Sequence, residues 1–372
     1  MQSRLEFSYI YSVGLKISNM YGFIDYARGG LFCLNNFLRP RHKKLSQLMI
    51  YATTRCQSHC RHCNIWQKPH VDLPLATIRE LMASHCVTRN TTVGLEGGEF
   101  VLHPEAEEIM RFFASHHPNY TLLTNGLTAR VVDLSLRYRP RRVYVSLDGD
   151  RDTYRVMRGC DGFDSALRVV RALKDRIPVS LMFCLSPWNS FRDMEFVIRL
   201  ARSLDVDVRI GIYGQMAFFD TTRALLSAEG FAKSIPHSLR QTTENYDFVM
   251  LYDEWRRGNL RLRCHSILNQ LVVHSNGDVP LCQNLAVKLG NVHRQPLDEI
   301  FNGVESCARQ CRYARHCNAC WINFHRKFDI IMVRTLERVL PKCLIERVYG
   351  PYQWAADTNM TYRKKINEES NS

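Results

Sequence analysis

The 372-residue sequence lacks any apolar run of about 18 residues or more, so we expect no membrane-spanning helix. Its N-terminus also lacks the basic segment, short apolar core and small-residue cleavage site of a secretory signal. Acidic residues are in short supply, with 36 Asp and Glu against 50 Lys and Arg. The formal net charge of +14 favours an anionic partner, although a solvated basic surface accounts for it equally well. Because the sequence predicts neither a membrane-spanning helix nor a secretory signal, we expect a cytoplasmic protein.

Cysteine, in contrast, is abundant, with 14 residues in the chain. Disulfide frameworks belong to short secreted chains, and these cysteines instead cluster at spacings typical of metal ligands. This distribution indicates a reducing compartment and bound metal. Four cysteines fall outside the clusters, and we interpret them as small buried hydrophobic residues: Cys33, Cys86, Cys160 and Cys184.

The most informative cluster is Cys56, Cys60 and Cys63, with the spacing Cys-x3-Cys-x2-Cys. Three thiolates on one loop can hold three corners of a [4Fe–4S] cluster and leave the fourth iron open for another ligand. A zinc site is the alternative, since zinc takes four nitrogen or sulfur ligands and His59 or His62 could complete the set.

This spacing resembles the signature of radical S-adenosylmethionine (SAM) enzymes. In that family the amino and carboxylate groups of SAM bind the open iron. An electron from a low-potential donor of the flavodoxin or ferredoxin type then cleaves SAM to a 5′-deoxyadenosyl radical, which abstracts a hydrogen from the substrate. The protein supplies binding, orientation and exclusion of side reactions.

Beyond residue 46, short apolar runs alternate with helical patterns, which predicts parallel strands joined by right-handed crossovers. The predicted strands are Leu48–Thr53, Thr92–Leu95, Tyr120–Thr124, Arg142–Leu147, Val179–Phe183 and Val206–Ile212. The predicted helices are Leu75–Cys86, Pro104–His116, Thr128–Tyr138, Phe163–Asp175 and Phe191–Leu204. The resemblance implies an α/β fold: an open, partial (β/α)6 TIM-like barrel with a small cysteine-rich α+β domain. Catalytic loops are then expected at the carboxyl ends of the strands.

Polar and glycine residues follow several predicted strands. Gly97, Gly98 and Glu99 resemble the Gly-Gly-Glu motif that receives the amino group of SAM, although a glycine pair alone is more often a turn. By the same resemblance, Asn125, Ser146 and Arg158 are candidate contacts to the ribose and carboxylate of SAM. The ordinary alternatives are a turn at Asn125, a strand-end cap at Ser146 and a surface charge at Arg158.

A second group of cysteines begins at Cys264 and Cys282, arranged as Cys-x12-Gly-x4-Cys, and ends with five more: Cys307, Cys311, Cys317, Cys320 and Cys343. The order resembles the SPASM extension of radical SAM enzymes, which carries auxiliary [4Fe–4S] clusters that shuttle electrons. The gaps Cys-x3-Cys-x5-Cys-x2-Cys exchange the two- and three-residue gaps of that family. A hairpin is predicted over Val272–Val279, with its turn at Asn276 and Gly277.

The resemblance assigns Cys264, Cys282 and Cys320 to a first auxiliary cluster, and to a second cluster Cys307, Cys311, Cys317 and Cys343. One auxiliary cluster with idle cysteines, or a zinc ribbon over 307–320, is the alternative. In sulfatase-maturing relatives an aspartate after the second cysteine of the module acts as a base. Gln283 stands there, which argues against formylglycine formation.

We predict five segments. Residues 1–45 form an N-terminal extension, 46–225 the partial barrel, 226–262 connecting helices, 263–350 the auxiliary-cluster domain and 351–372 a disordered polar tail. The extension carries an apolar stripe at helical spacing, followed by a basic run. A helix packed on its own barrel accounts for the stripe better than peripheral contact with an anionic membrane. The stripe is Ile10, Val13, Ile17, Met20 and Ile24.

Two function classes follow from these motifs. The first is an enzyme that cleaves SAM and abstracts a carbon-bound hydrogen from a peptide or from a sugar-, lipid- or nucleotide-linked molecule. The second is an iron–sulfur electron carrier or redox sensor without turnover. A zinc-dependent nucleic-acid binder has only the positive charge in its favour, so no nucleic-acid partner is expected.

Overall fold

The computed structural model describes residues 23–214, 242–243, 245, 248–249, 251–258, 260–337, 340–349 and 352. Seven parallel strands form its main sheet, in the order β6-β5-β4-β3-β2-β1-β7. A separate antiparallel pair follows in the chain. The strands are β1 (Gln47–Thr53), β2 (Thr92–Gly97), β3 (Tyr120–Thr124), β4 (Arg142–Ser146), β5 (Val179–Leu185), β6 (Asp207–Ile212), β7 (Gln270–Val273), β8 (Asp278–Pro280) and β9 (Lys288–Asn291).

Helices connect the strands of the barrel and build the C-terminal part. They are α1 (Phe23–Leu38), α2 (Leu75–Ala83), α3 (Ala106–His116), α4 (Arg130–Tyr138), α5 (Arg151–Arg158), α6 (Phe163–Leu173), α7 (Phe191–Ser203), α8 (Tyr252–Arg256), α9 (Leu297–Asn302), α10 (Val304–His316), α11 (Asn323–Leu336) and α12 (Lys342–Tyr349). The predicted α/β partial barrel with a smaller C-terminal cysteine-rich part is confirmed.

Helix α7 illustrates why these segments fold as predicted. The Ser190 hydroxyl accepts a hydrogen bond from the Asp193 backbone N–H, and the Asp193 side chain accepts one from the Ser190 N–H. This capping box satisfies two backbone donors that a helix start leaves unpaired. The apolar stripe that α7 buries lies at i, i+3, i+4 and i+7: Met194, Val197, Ile198 and Ala201.

Strand β7 adds a seventh strand that the sequence did not predict. Its residues lie within the segment assigned to the auxiliary domain, yet it pairs in parallel with β1, with Leu48 opposite Leu271. All four of its residues are buried. The run has only four residues, so strand–helix periodicity does not detect it. The edge of the barrel sheet is therefore formed by the C-terminal part of the chain.

The hairpin turn predicted over Val272–Val279 lies between two short strands, β7 and β8. The Gly277 N–H donates to His274 O at 2.9 Å, the His274 N–H donates to Asp278 O at 2.9 Å, and Gly277 has φ +80°. Its flanking strands, however, belong to different sheets: β7 joins the barrel, and β8 pairs with β9 in antiparallel fashion.

Several predictions fall outside the described residues. They include the apolar stripe positions Ile10, Val13, Ile17 and Met20, most of the segment 226–262 and the tail 351–372 except Tyr352. Ile24 lies in α1. Among the described helices, none combines the length and the apolar character needed to cross a bilayer.

Candidate functional site

A cavity of about 280 Å³ runs along the inside of the barrel to the carboxyl ends of its strands. Its wall contains all three cysteines of the first cluster, Cys56, Cys60 and Cys63. Of the predicted SAM contacts, the wall contains Gly97, Gly98, Asn125, Ser146 and Arg158, whereas Glu99 is absent from it. The structure thus brings together residues that follow four different strands.

The cysteine loop is fixed by backbone contacts with the end of α5. The His59 N–H donates to Arg158 O at 3.0 Å, and the Arg61 N–H donates to Met157 O at 2.9 Å. Gly159 ends this helix with φ +62°, and a Cβ there would lie 2.7 Å from His59 O. Only glycine tolerates both the conformation and the approach. The end of α5 therefore contributes to the shape of the cysteine loop.

Gly97 and Gly98 allow the end of β2 to pack directly against the backbone that leads into the cysteine loop. A Cβ on Gly97, where φ is +151°, would lie 2.4 Å from Thr53 O, and one on Gly98 would lie 2.3 Å from Arg55 O. The Gly98 N–H donates to Thr53 O at 2.8 Å. The close approach of two backbones is thus a sufficient structural reason for both glycines.

Glu99, the third residue of the Gly-Gly-Glu motif, lies outside the cavity wall and contacts the carboxyl end of β3. Its carboxylate accepts hydrogen bonds from the Thr124 hydroxyl at 2.9 Å and the Asn125 backbone N–H at 2.7 Å. The Asn125 side chain in turn donates to Ser58 Oγ at 3.1 Å. Glu99 is fully buried, and its contacts are those of a positioning group. Through Asn125, it links β2 and β3 to the cysteine loop.

Arg158 is buried beside the cysteines with its charge already paired. Its guanidinium lies 2.6 Å from Asp148 Oδ2 and donates to Cys60 Sγ at 3.7 Å. Burial is the largest single effect and lowers the pKa of Arg158, but Asp148, Cys60 and Tyr154 together raise it by more, so Arg158 stays charged. A fixed cation beside a cluster ligand stabilises negative charge on its sulfur. Ser146 is 6% exposed at the end of β4.

The three thiols lie in surroundings that favour their neutral form. Burial raises the pKa of Cys56 to about 11 and that of Cys63 to about 12, and it also raises the pKa of Cys60. Metal ligation requires thiolates, so binding of iron releases protons from this loop.

Residues that face the barrel interior were missed by the sequence reasoning, and they include one carboxylate. Glu96 lines the cavity, and its carboxylate makes no hydrogen bond or ion pair within the described ranges. Burial raises the pKa of Glu96 to about 7, against the opposing effect of Arg209. Arg209 also lines the cavity, with its guanidinium 4.0 Å from the centre of the Tyr144 ring.

The signal for these residues is the alternation of side chains along each strand. Every second residue of a strand faces the interior of a barrel. Most lining residues of the strands follow this rule: Gln47, Met49 and Tyr51 on β1, Thr92, Gly94 and Glu96 on β2, Tyr144 and Ser146 on β4, and Arg209 and Gly211 on β6. The exceptions are Leu48, Gly97, Thr124 and Ile212.

The auxiliary part contributes to the same cavity through Gln283. This side chain is 8% exposed and donates a hydrogen bond to the Tyr51 hydroxyl, while its backbone N–H donates to His325 Nε2 at 3.1 Å. The position that holds a base in sulfatase-maturing relatives thus reaches the interior, but an amide cannot accept a proton there.

The auxiliary cysteines occupy two places. Cys264, Cys282, Cys317 and Cys320 line one small cavity together with Tyr313 and His325. Cys307 and Cys311 line another cavity, of about 400 Å³, and Cys343 is exposed on α12. The partition implied by the resemblance grouped Cys317 with Cys307, Cys311 and Cys343. In the structure, Cys317 instead lines the cavity of Cys264, Cys282 and Cys320. Within the described residues, no three His, Cys, Asp or Glu side chains are spaced for a single metal ion.

The donor set of the barrel cavity fits a cluster and its ligand. Three thiols from one loop face the cavity. Two nitrogen atoms in its wall, His62 Nδ1 and Trp66 Nε1, are buried without a hydrogen-bond partner in the described part of the chain. Buried polar atoms are rarely left unpaired, so these two are suited to a polar molecule in the cavity.

Comparison with known sequences gives two family matches. Residues 50–201 match the radical SAM superfamily, and residues 264–321 match SPASM, an iron–sulfur cluster-binding domain. The antilisterial bacteriocin subtilosin biosynthesis protein AlbA of Bacillus subtilis (strain 168) is 23% identical over 335 residues, covering 79% of this chain and 71% of AlbA. The AdoMet-dependent heme synthase of Methanosarcina barkeri (strain Fusaro / DSM 804) is 22% identical over 317 residues, covering 72% and 88%.

Among solved structures, Streptococcus suis SuiB bound to the precursor peptide SuiA superposes with a TM-score of 0.57 at 12% identity. The match covers 73% of this chain and 68% of SuiB, and it shows a shared fold. Together with the two family matches and the cysteine motifs, it leads to one conclusion. Residues 50–201 form a radical SAM domain and residues 264–321 a SPASM domain, and the chain is an enzyme whose cofactors are [4Fe–4S] clusters and SAM.

Proposed function

We propose that this enzyme cleaves SAM reductively at the barrel cavity and abstracts a carbon-bound hydrogen from a peptide. The observation that carries the proposal is the convergence of Cys56, Cys60 and Cys63 on a cavity that continues into the barrel interior. A bound cluster and SAM would supply a primary carbon radical after transfer of one electron from an external low-potential donor. The chain itself binds, orients and shields the reacting groups.

The residues around the cavity have different roles in this reaction. Cys56, Cys60 and Cys63 hold the cluster, and Arg158 sits behind Cys60 as a charge that Asp148 keeps in place. Gly97, Gly98, Asn125 and Ser146 border the space for SAM. Glu99 acts one step away by fixing Asn125.

Glu96 is the group we propose for acid–base work on the substrate. Its carboxylate faces the cavity, and a pKa raised by burial to about 7 suits a group that exchanges a proton near neutral pH. Gln283 cannot perform this role. A Glu96→Gln variant is expected to release 5′-deoxyadenosine in the absence of substrate as the wild type does, and to lose the modification of the peptide by about 10²-fold or more.

A peptide is favoured over the other substrate classes by what the relatives do. SuiB was solved with a precursor peptide, and AlbA serves the biosynthesis of a bacteriocin. The heme synthase is not named for a peptide, so it supports the SAM-dependent chemistry of the proposal and not the peptide substrate. An excess of basic residues, 50 against 36 acidic, suits an acidic peptide segment.

The test of the reaction is anaerobic reconstitution with iron and sulfide, followed by dithionite and SAM. We expect release of 5′-deoxyadenosine, measured by liquid chromatography, and no release from a variant in which Cys56, Cys60 and Cys63 are all alanine. A fully iron-loaded wild type that leaves SAM intact would favour the electron-carrier alternative instead. Peptide candidates are then tested by mass change, which separates failure of the substrate class from failure of the chemistry.

A further inference from the structure

We infer that Cys264, Cys282, Cys317 and Cys320 hold one complete auxiliary [4Fe–4S] cluster, and that Cys307, Cys311 and Cys343 hold none. The inference departs from the partition that the resemblance implied, in which Cys317 belonged to a second cluster. It does not depend on the proposed reaction, because iron can be counted in protein that is not turning over.

The first support is that all four thiols face one enclosed cavity. Cys264 and Cys282 are buried and Cys317 and Cys320 are partly buried, and all four line the same space. Four thiolates are the usual complement of an electron-transfer cluster.

The helix that precedes Cys317 explains why the cysteines separate. Cys307 and Cys311 are four residues apart on α10, so they lie on one face of that helix. That face lines the larger cavity with residues at helical spacing: Cys307, Gln310, Cys311, Ala314 and Arg315. Cys317 follows the last residue of α10 and shares the other cavity with Tyr313, one turn before it. The three-residue gap between Cys307 and Cys311 thus directs both away from Cys317.

The larger cavity is poorly suited to iron. The buried ammonium of Lys43 donates to Cys307 Sγ at 3.0 Å, and also to Pro40 O at 2.8 Å and Asn302 Oδ1 at 3.1 Å. Of the cysteines in the described residues, Cys307 and Cys311 alone line this cavity, which is two fewer than a four-thiolate cluster needs. Further basic residues line the space: Arg263, Arg315 and Arg347. Cys343, the remaining thiol of the implied set, is exposed.

Iron counting tests the inference. After anaerobic reconstitution, wild-type protein is expected to hold about eight iron atoms per chain, the content of two [4Fe–4S] clusters, whereas three clusters would give about twelve. The variant Cys56→Ala/Cys60→Ala/Cys63→Ala is expected to retain about four. In that background, Cys317→Ala is expected to remove nearly all of the remaining iron. The double variant Cys307→Ala/Cys311→Ala, changed on the same helix, is expected to keep it.

About eight iron atoms in the triple variant, or loss of about four from the Cys307→Ala/Cys311→Ala background, would overturn the inference. Circular dichroism of each metal-free variant checks that it folds. A second measurement needs no substitution: iron-loaded wild type is alkylated under anaerobic conditions and its cysteines are mapped by mass spectrometry. Cys317 is expected to be protected until a chelator removes the iron, and Cys343 to react throughout. Alkylation of Cys317 in fully loaded protein contradicts the inference as well.

Discussion

The two cysteine sites of this enzyme are built in different ways. In the barrel, three thiols come from one loop, and backbone contacts with α5 and with Gly98 fix that loop. In the auxiliary part, the four thiols of one cavity come from separate places: before β7, after β8, and after α10. A site built on one loop can be recognised from spacing alone. A site assembled from several elements depends on the directions those elements take.

The difference also affects how each site reaches its surroundings. The barrel loop borders the large central cavity, whereas the small auxiliary cavity is enclosed by its own cysteines and by apolar residues such as Ile267 and Leu281. An open site suits a reaction and an enclosed one suits electron transfer. A substitution at one site is therefore expected to leave the iron content of the other site unchanged.

The largest expected effect is loss of the reaction on changing Cys60. Cys60→Ala removes one of three cluster ligands at a site that has no spare thiolate on its loop, so release of 5′-deoxyadenosine is expected to fall below detection. Cys343→Ala, at an exposed thiol, is the matched control and is expected to keep wild-type activity. Equal loss in both variants would show that the two regions are not independent.

The next largest effect is expected from Asp148. Asp148→Asn leaves the buried Arg158 guanidinium without its counter-ion, which typically costs about 3–5 kcal/mol of the free energy of unfolding. Denaturant unfolding of the metal-free protein measures the cost, and iron analysis is expected to show loss from the barrel site only.

The exposed pair between Arg151 and Asp164 provides the control for this charge effect. Its side chains are 48% and 56% exposed, so Asp164→Asn is expected to change the free energy of unfolding far less than Asp148→Asn does. If both Asp→Asn variants lost the same stability, burial of the Asp148 pair would not explain the effect.

Most of the barrel could be predicted because each unit carries local signals. Strands β1 to β6 are apolar runs, and the helices between them have apolar stripes, as α7 does. Strand β7 could not be predicted from such units, since its four residues gain their place only by pairing with β1 across a long sequence separation. The turn at Gly277 could be predicted because it is local, whereas the sheet that each flanking strand joins is not a local property.

The same distinction between local and long-range features applies to the candidate site. The cysteine loop and the two glycines are local motifs, and the structure gathers them at one cavity. Glu96, Arg209 and Gln283 come together only when the sheet curls and the auxiliary part packs against it. The grouping of Cys317 depends on the direction of α10, which spacing does not encode.

A moderate effect with a defined pH dependence is expected from Glu96. Because folding raises its pKa from 4.5 to about 7, the stability that comes from the neutral form is complete below the unfolded pKa and is lost as the pH rises through 7. Glu96→Gln, which stays neutral, is expected to exceed wild type at pH 8 by about 3 kcal/mol, and to match it near pH 4. Urea unfolding of the metal-free proteins at the two pH values measures the difference.

The surface residue Glu195, in an i,i+4 pair with Arg199, serves as the control for this substitution. Glu195→Gln is expected to leave the difference between the two pH values within about 0.5 kcal/mol of wild type. A Glu96→Gln variant with no advantage at pH 8 would mean that Glu96 is already well solvated or paired, and it would remove the basis for its acid–base role.

The smallest expected effect concerns the hydrogen bond that joins the two regions, between Gln283 and the hydroxyl of Tyr51 on β1. Tyr51→Phe leaves the buried Gln283 amide without this acceptor, which is expected to cost about 1–2 kcal/mol in the free energy of unfolding. Iron content at both sites should be unchanged, because neither residue is a cluster ligand. A double-mutant cycle with Gln283→Leu is expected to give a coupling of about 1 kcal/mol. Additive effects would indicate that this hydrogen bond does not couple the barrel to the auxiliary part, which other contacts such as the pairing of β7 with β1 would then hold together.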